Sequence, residues 1–441
     1  MSRWEKLLLQ LTVFLIPTNL SYHWISKEAY VRGLLVDYLI PKLYLSDIPV
    51  LMLLLLWLVS RTKKLVAGWK RQFTVTEHIF STVKLWLIQY GWLLIIAVIL
   101  LWRSVDSERP MAAIWLWLKL VQWGLFFWWL KSHLLRLTGK VAALVVTPLT
   151  VSLFFQSVVA MVQFVSQRSV GGYWLLGETR LDFSSFVAKS EWLGNLRIIP
   201  YGTTPHPNVL GGFLTVGMMM LWLTTGLHRK NRPYQKMSIV VSCFLSLVAL
   251  FITQAVSAWM ALVLGVFLIG YFSTSSKQVG KVLRKKWLLL TVSVGMVMVW
   301  ALTKLPSSSV ERRVELVKIA GRMFLANPAF GIGLNQFSAQ LEKFGTVAAV
   351  TRFVQPVHNI YLLWIVETGL VGLISVGILF YFLWQQTTHY ALRTTHLKFM
   401  IPLLMLSVIG LVDHYPLTLQ QGQLLLILGL WLATAKQRAT I

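Results

Sequence analysis

The sequence predicts an all-α protein that crosses a membrane many times, about twelve by our count, and three observations lead there. Of 441 residues, 56% are hydrophobic and only 13% charged, with a mean hydropathy of +0.67. A soluble domain is near half apolar and about a quarter charged. Apolar runs of near-spanning length recur along the whole chain. The 21 Trp and 13 Tyr suit the bilayer interface, where amphipathic rings gather. No second domain, linker or repeat interrupts the pattern, so residues 1–441 read as one transmembrane unit. The single cysteine, Cys243, has no partner for an internal disulfide.

The spans are expected near 7–22, 43–60, 85–102, 112–130, 141–164, 209–227, 237–252, 254–272, 287–302, 359–384, 399–412 and 421–435. The first follows Met1-Ser-Arg-Trp-Glu-Lys and lacks a small-residue cleavage site, so it reads as a retained helix. With the N-terminus inside and the helices alternating, the inner segments hold about 24 Lys and Arg against 2 acids. The outer ones hold about 16 against 12. That asymmetry assigns both termini to the cytoplasm. It also accounts for the net charge of +26 as topology rather than nucleic-acid binding. Two outer segments are long, 165–208 and 303–358, and loops of that length in a compact protein are usually functional.

The second long loop opens with a helix. Ser308 and Glu311 fit a capping box, and Asn327-Pro328 stops the run. At ~100° per residue, Val310, Val314, Val317, Gly321 and Phe324 share one face, with Ala320 at its edge; Glu311, Arg312, Glu315, Lys318 and Arg322 share the opposite one. Arg313 falls on the apolar side. Spacing alone leaves two readings for it: a side chain that snorkels to water, or one turned inward toward an anion. Pro328-Ala-Phe-Gly331-Ile-Gly333 follows as a glycine turn, with neither the strand nor the lysine of a phosphate loop. Pro356-Val-His358-Asn359 then leads into the tenth span. Glu367, deeper in that span, is an expensive intramembrane carboxylate. It is nine residues from His358, on the opposite side of an ideal helix, so a His–Glu dyad is not expected. Lys119 in the fourth span is a candidate partner for it.

The first long loop ends Arg197-Ile-Ile-Pro-Tyr-Gly202-Thr-Thr-Pro205-His206-Pro207-Asn208. Asn208 suits a cap for the sixth span, and Gly211-Gly212 suit close helix packing. Arg197 and His206 are left without a capping role. Asp413-His414-Tyr415 and Gln420-Gln421 lie in a short outer loop before the last span, either as a further wall of the same site or as a hydrogen-bonded turn. No pair among His206, His358, Asp413 and His414 has the local spacing of a zinc site, and no metal or cofactor is expected.

Taken in order, these motifs resemble the O-antigen ligase and O-antigen polymerase superfamily. The resemblance rests on Arg197-x5-Gly202-x3-His206-Pro207-Asn208-x2-Gly211, on the Arg313 helix running into Asn327-Pro328-x2-Gly331-x-Gly333, on His358-Asn359-x2-Leu362-x4-Glu367-x-Gly369, and on the Asp413-His414-Tyr415 tail. It implies a metal-independent glycosyltransferase of the multi-spanning, GT-C-like type. Such an enzyme moves a glycan from undecaprenyl diphosphate to an acceptor hydroxyl on the outer face of the cytoplasmic membrane. The acceptor is a lipid A core sugar, another repeat unit or a protein side chain. By the same resemblance Arg197 and Arg313 bind the lipid diphosphate and His358 is catalytic, with His206, Asn208, Asn359, Glu367, Asp413 and His414 in support. The chain departs from the family at Thr253-Gln-Ala-Val-Ser-Ala-Trp259, where Ala255 and Val256 stand in place of Ser and Arg. Arg180, Arg197 or Arg352 then replaces the lost cation, or activity is weakened or lost. A transporter of lipid-linked glycans would use Lys119 and Glu367 differently, and an envelope scaffold would tolerate the loss of the arginine.

Overall fold

The structure is a computed structural model and describes residues 1–69, 91–92, 94–134, 136–137, 139–225, 233–273, 307–345, 354–388 and 397–437. Twelve helices frame it: α1 (Arg3–Phe14), α2 (Asp47–Trp69), α3 (Leu94–Val105), α4 (Pro110–His133), α5 (Gly139–Ser166), α6 (Pro207–Thr225), α7 (Pro233–Thr253), α8 (Val256–Ser273), α9 (Ser307–Ala326), α10 (Ile360–Thr388), α11 (Ile401–Val412) and α12 (Gln420–Thr434). Among the described residues, five helices are long and apolar enough to cross a membrane and three shorter apolar ones accompany them. The fold is therefore all-α and membrane-spanning, but twelve spans are more than these residues show. The expected span at 287–302 lies outside them, as does part of the one at 85–102. The expected first span, 7–22, is helical only to Phe14, after which the chain turns into a short strand, Ser21–His23.

One apolar core joins α1, α2, α4, α5, α6, α7, α8, α11 and α12. At its centre α6 is buried almost all round, the pattern of a helix enclosed by other helices. Its glycines permit that enclosure. A Cβ on Gly211 would lie 2.5 Å from that of Ala255, and one on Gly212 would meet the Tyr415 hydroxyl. The position where the family pattern has serine is thus a buried alanine pressed on α6. At the other end of the bundle, Arg136–Leu137 pairs in parallel with Lys436–Gln437. That pairing joins two segments which the charge pattern assigns to the same, inner side.

The connections at the opposite end are built structures. Residues 15–46 fold into two small hairpins, Ser21–His23 with Lys42–Tyr44 and Tyr30–Val31 with Leu34–Leu35. In the loop 165–208, the Glu178 carboxylate accepts hydrogen bonds from the backbone of Val170, Gly171 and Gly172, while Gln163 holds Tyr201 and Gly202. A further hairpin, Lys189–Trp192 with Asn195–Ile198, rests Trp192 on Phe164 and Phe251.

Helix α10 is broken at Gly369 (φ +64°, ψ −157°). The Val366 and Glu367 carbonyls accept from the N–H groups of Ile332 and Gly333 (3.0 Å each). The Leu370 and Val371 N–H groups donate to the carbonyls of Pro328 and Ala329 (2.9 and 3.2 Å). Four bonds to the 328–333 loop thus replace two rungs of the helix ladder, so the two N–H and two C=O groups that those rungs would have used are all paired. The glycine turn finds its reason here: a Cβ on Gly331 would sit 2.4 Å from the Glu367 carbonyl carbon. Glu367 closes the junction by accepting from Asn335 N–H (2.9 Å) and Phe337 N–H (3.2 Å). The expected Glu367–Lys119 contact is not formed. Lys119 pairs with Asp47 and also donates to Gln420.

Gly331→Ala should lower the thermal midpoint of the detergent-solubilised protein by several degrees, because backbone must shift at a positive φ (+68°). Gly321→Ala, on α9 with nothing within 4 Å of the new methyl, should leave it unchanged or raise it slightly. Size-exclusion chromatography after graded heating reads both. Equal losses would show that the junction is not the tight element.

Candidate functional site

Five segments converge at the end of the bundle opposite the Arg136–Lys436 strand pair: residues 15–46, the start of α6, helix α9, the residues before α10, and the turn between α11 and α12. Arg313 enters from α9. The buried face of that helix is Leu316, Ile319, Ala320 and Met323, while Val310, Val314 and Val317 stay exposed. The core-facing stripe is therefore offset from the valine face that spacing suggests. Arg313, three residues before Leu316 and seven before Ala320, belongs to the inward face. Of its two open readings the structure takes the inward one: Nη1 donates to the Val412 carbonyl (2.9 Å), at the C-terminus of α11. A cation at a helix C-terminus is favoured by the helix dipole.

Around it stand three histidines and a carboxylate. His414 is buried and fully partnered. The Thr418 hydroxyl donates to the His414 carbonyl (3.1 Å), which leaves its oxygen to accept from Nδ1–H at 2.8 Å. Nε2 then faces the Tyr38 hydroxyl at 3.5 Å. The ring of His358 meets that of His414 edge to face at 5.0 Å, and its buried Nδ1 has no hydrogen-bond partner among the described residues. His206 precedes α6, where its Nδ1 accepts from the Asn208 N–H (3.2 Å). The expected cap is thus supplied by the histidine. Asn208 instead sends its side chain to Asp413 Oδ2 (2.9 Å).

Burial and like charge act together on these groups. Burial first, then the Arg313 charge, lowers His358 to about 3. His206, although exposed as a residue, moves in the same direction, to about 4, for the same two causes. His414 is held well below its usual range by burial and by its charged and imidazole neighbours. All three rings are neutral at pH 7. Burial raises Asp413 to about 6, opposed by the Asn208 hydrogen bond and by Arg313. The site at neutral pH thus holds a guanidinium, a largely ionised carboxylate and neutral imidazoles, one with an uncommitted nitrogen.

His358, Asp413 and His414 each offer a ligand atom within 4.8 Å of the others, so these three could hold a metal ion. Most of that donor set is already engaged: Asp413 with Asn208, His414 with Thr418, and a guanidinium stands beside all three. A cation would have to displace or outweigh those partners, and an anion would not.

The candidates from the sequence divide plainly. His206, Asn208, Arg313, His358, Asp413 and His414 come together. Asn359 sits beside them as the cap of α10, its Oδ1 accepting from Tyr361 and Leu362 N–H while Nδ2 donates to the Leu411 carbonyl. Glu367 serves the α10 junction. Arg197 stays on its hairpin with its guanidinium over Phe164 at 5.4 Å. Arg180 is largely exposed beside Asp182 (3.8 Å), and Arg352 lies outside the described residues. Tyr38 and Thr418 were not anticipated. Thr418 sat inside the Asp413–Gln420 string and could have been nominated from it, whereas Tyr38 carries no local signal. The charge of Arg312 also bears on His358.

Residues 241–377 match the family model described as O-antigen ligase. The matched stretch contains Arg313, the Asn327–Gly333 turn, His358, Asn359 and Glu367, and stops short of Asp413 and His414. No curated protein matches the chain.

Asn359→Ala should cost about 1 kcal/mol, the usual value of an N-cap, with the added loss of the tie to α11. Asn359→Asp, which keeps the cap acceptor, should cost less. Thermal unfolding in detergent compares the two, and a ranking in which Asp is worse than Ala would refute the capping role.

Proposed function

We propose that this protein transfers a glycan from a polyprenyl diphosphate to an acceptor hydroxyl on the outer face of the cytoplasmic membrane, with both termini inside. The observation that carries the proposal is the placement of Arg313 among three neutral histidines, one of which keeps a free, buried nitrogen. The match of residues 241–377 supports the same class of reaction.

The chemistry follows from charge. As the glycosidic bond to the diphosphate breaks, its electron pair leaves with the phosphate oxygen, and negative charge grows there. A guanidinium fixed on the α11 carbonyl stabilises that charge in place. The acceptor oxygen forms the new bond to the anomeric carbon, and its proton passes to Nδ1 of His358. A ring held near pKa 3 is a poor base. A bound diphosphate offsets the Arg313 charge that helps hold it there, so donor binding raises the basicity of His358 just where it is needed. Asp413 balances Arg313 in the resting site. His206 and His414 confine the ring of His358, and Asn208 and Asn359 hold the backbone around it. Arg197 in this reading has at most a role in donor approach from the hairpin.

Whether the acceptor is a lipid-linked core sugar, a growing repeat chain or a protein side chain separates ligase from polymerase within this proposal. A flippase is disfavoured because Lys119 is already paired with Asp47 and Glu367 already accepts from the Asn335 and Phe337 N–H groups, so both of the charges that alternating access would use are committed elsewhere.

Transfer from an undecaprenyl-diphosphate glycan, measured with matched membrane levels in cells lacking their own ligase, should be lost in His358→Ala by about 10²–10⁴-fold. Arg313→Ala should lose about 10²–10³-fold, and Arg197→Ala much less. A wild type that inserts normally yet transfers no glycan from any donor would refute the proposal. In a pH series, kcat/KM, which reports the free enzyme, should fall only toward pH 3. The acid limb of kcat should lie at higher pH, because the donor-bound His358 protonates more easily. Coincident limbs would remove the donor-armed base.

A further inference from the structure

Beside the site lies a cavity that the proposed roles do not use. Tyr38 and Thr418, the two partners of His414, also form part of its wall, so it opens where the imidazoles end. Deeper, it is lined by Tyr44, Trp115, Lys119 and Gln420. Lys119 is buried within α4, an expensive place for an ammonium, and is neutralised by Asp47. The rings of Tyr44, Trp115 and Trp123 surround its Nζ at 5.6–5.7 Å. Gln420 and Gln122 complete the carboxylate of Asp47, and Lys42 at the cavity wall is likewise paired, with Asp37 at 2.5 Å.

Two features narrow what such a cavity takes. Lys119 and Lys42, the ammonium groups facing it, already have carboxylates, so a charged guest gains no free counter-ion and, at Lys119, would have to break a buried pair. Its walls instead alternate aromatic faces with amide, hydroxyl and ammonium groups held in fixed positions. An aromatic face against C–H groups with fixed polar groups at the edge is the arrangement that receives a sugar ring. A purely apolar guest would strand the polar edge.

We infer that this cavity holds a neutral saccharide ring of the acceptor, stacked on Trp115, with its reactive hydroxyl directed past Tyr38 and Thr418 toward His358. The inference rests on the glycan-transfer reading of the site. Arg313, Asp413 and His358 do not line the cavity, which meets the cluster through Tyr38 and Thr418, the partners of His414. The diphosphate leaves from one side of the anomeric carbon and the acceptor hydroxyl approaches from the other, so a space not lined by the guanidinium suits the acceptor. An acidic sugar is excluded by the pre-paired ammonium groups.

The test combines kinetics with direct binding. With purified protein, a labelled undecaprenyl-diphosphate glycan and a neutral oligosaccharide acceptor, Trp115→Ala should raise acceptor KM about tenfold or more. Donor KM and kcat should change less than twofold, and Trp115→Phe should recover most of the loss. In parallel, saturation-transfer difference NMR with methyl hexosides and methyl N-acetylhexosaminides should show ring-proton contacts in wild type that Trp115→Ala removes and Trp115→Phe keeps. An unchanged acceptor KM, or a rise in donor KM instead, overturns the inference and leaves the transfer reading intact. If wild type transfers nothing but the Trp115-dependent NMR contacts persist, the transfer reading fails and the cavity stands as a saccharide site. If neither transfer nor contacts are seen, both fall.

Discussion

A helix interrupted inside a membrane has to find partners for the backbone groups it frees, and the break of α10 at Gly369 meets that requirement with one short loop. The loop supplies two donors and two acceptors where the helix would have made two bonds of its own. Each group left unpaired in lipid would cost several kcal/mol, so the loop and the helix cannot separate cheaply. Arg313 and His358 inherit their positions from that junction. The loop begins where α9 ends, which sets α9 against α10. Against that support, α9 delivers Arg313 to the end of α11, while the N-terminal half of α10 delivers His358 and its cap, Asn359. The glycines at 331 and 369 are required because each backbone passes within touching distance of the other.

The electrostatics depend on the same rigidity. One guanidinium, anchored on a carbonyl at a helix end, stands among three imidazoles that burial has already biased toward the neutral form. Neither effect alone would be selective. Burial without the cation would leave the histidines neutral but no reason for an anion to enter. A cation without burial would be screened by water and salt. Together they leave a site whose unmet demand is negative charge, while Asp413, tied to Asn208 and pushed up to about 6, supplies only partial compensation. In the proposed reaction an arriving diphosphate would satisfy the guanidinium and relax the constraint on His358 in one step.

Much of this was legible in the sequence, and the residues show why. Apolar runs and basic asymmetry located most helices, because lipid imposes length and composition directly. The chemistry of His206, Asn208, Arg313, His358 and Asp413-His414 could be nominated from type and from shared side of the membrane. What spacing could not supply was partner choice. Asn208 and His206 exchange the cap expected of the asparagine, since the side chain of Asn208 has a buried carboxylate within reach. Glu367 and Lys119, both costly in a membrane, invite pairing with each other on paper. The fold resolves them separately, one with backbone N–H groups and one with Asp47. Arg197 matched a motif by spacing, but its hairpin lays it on Phe164. Tyr38 came from a segment with no periodic signal at all.

The separate solutions for Glu367 and Lys119 have a consequence for how the molecule divides its labour. Glu367 and Lys119 both line the cavity, yet the carboxylate is taken up by backbone N–H groups of the junction and the ammonium by Asp47 and its aromatic surround. Had the two paired across the bundle, α4 and α10 would be joined through the space between them, and the cavity beside His414 would be filled by the pair. Keeping them apart leaves a polar, aromatic-walled space next to the imidazoles and a rigid support beneath the guanidinium. The same choice of partners that satisfies two buried charges therefore also leaves the cavity open beside His414, where Tyr38 and Thr418 join it to the imidazoles.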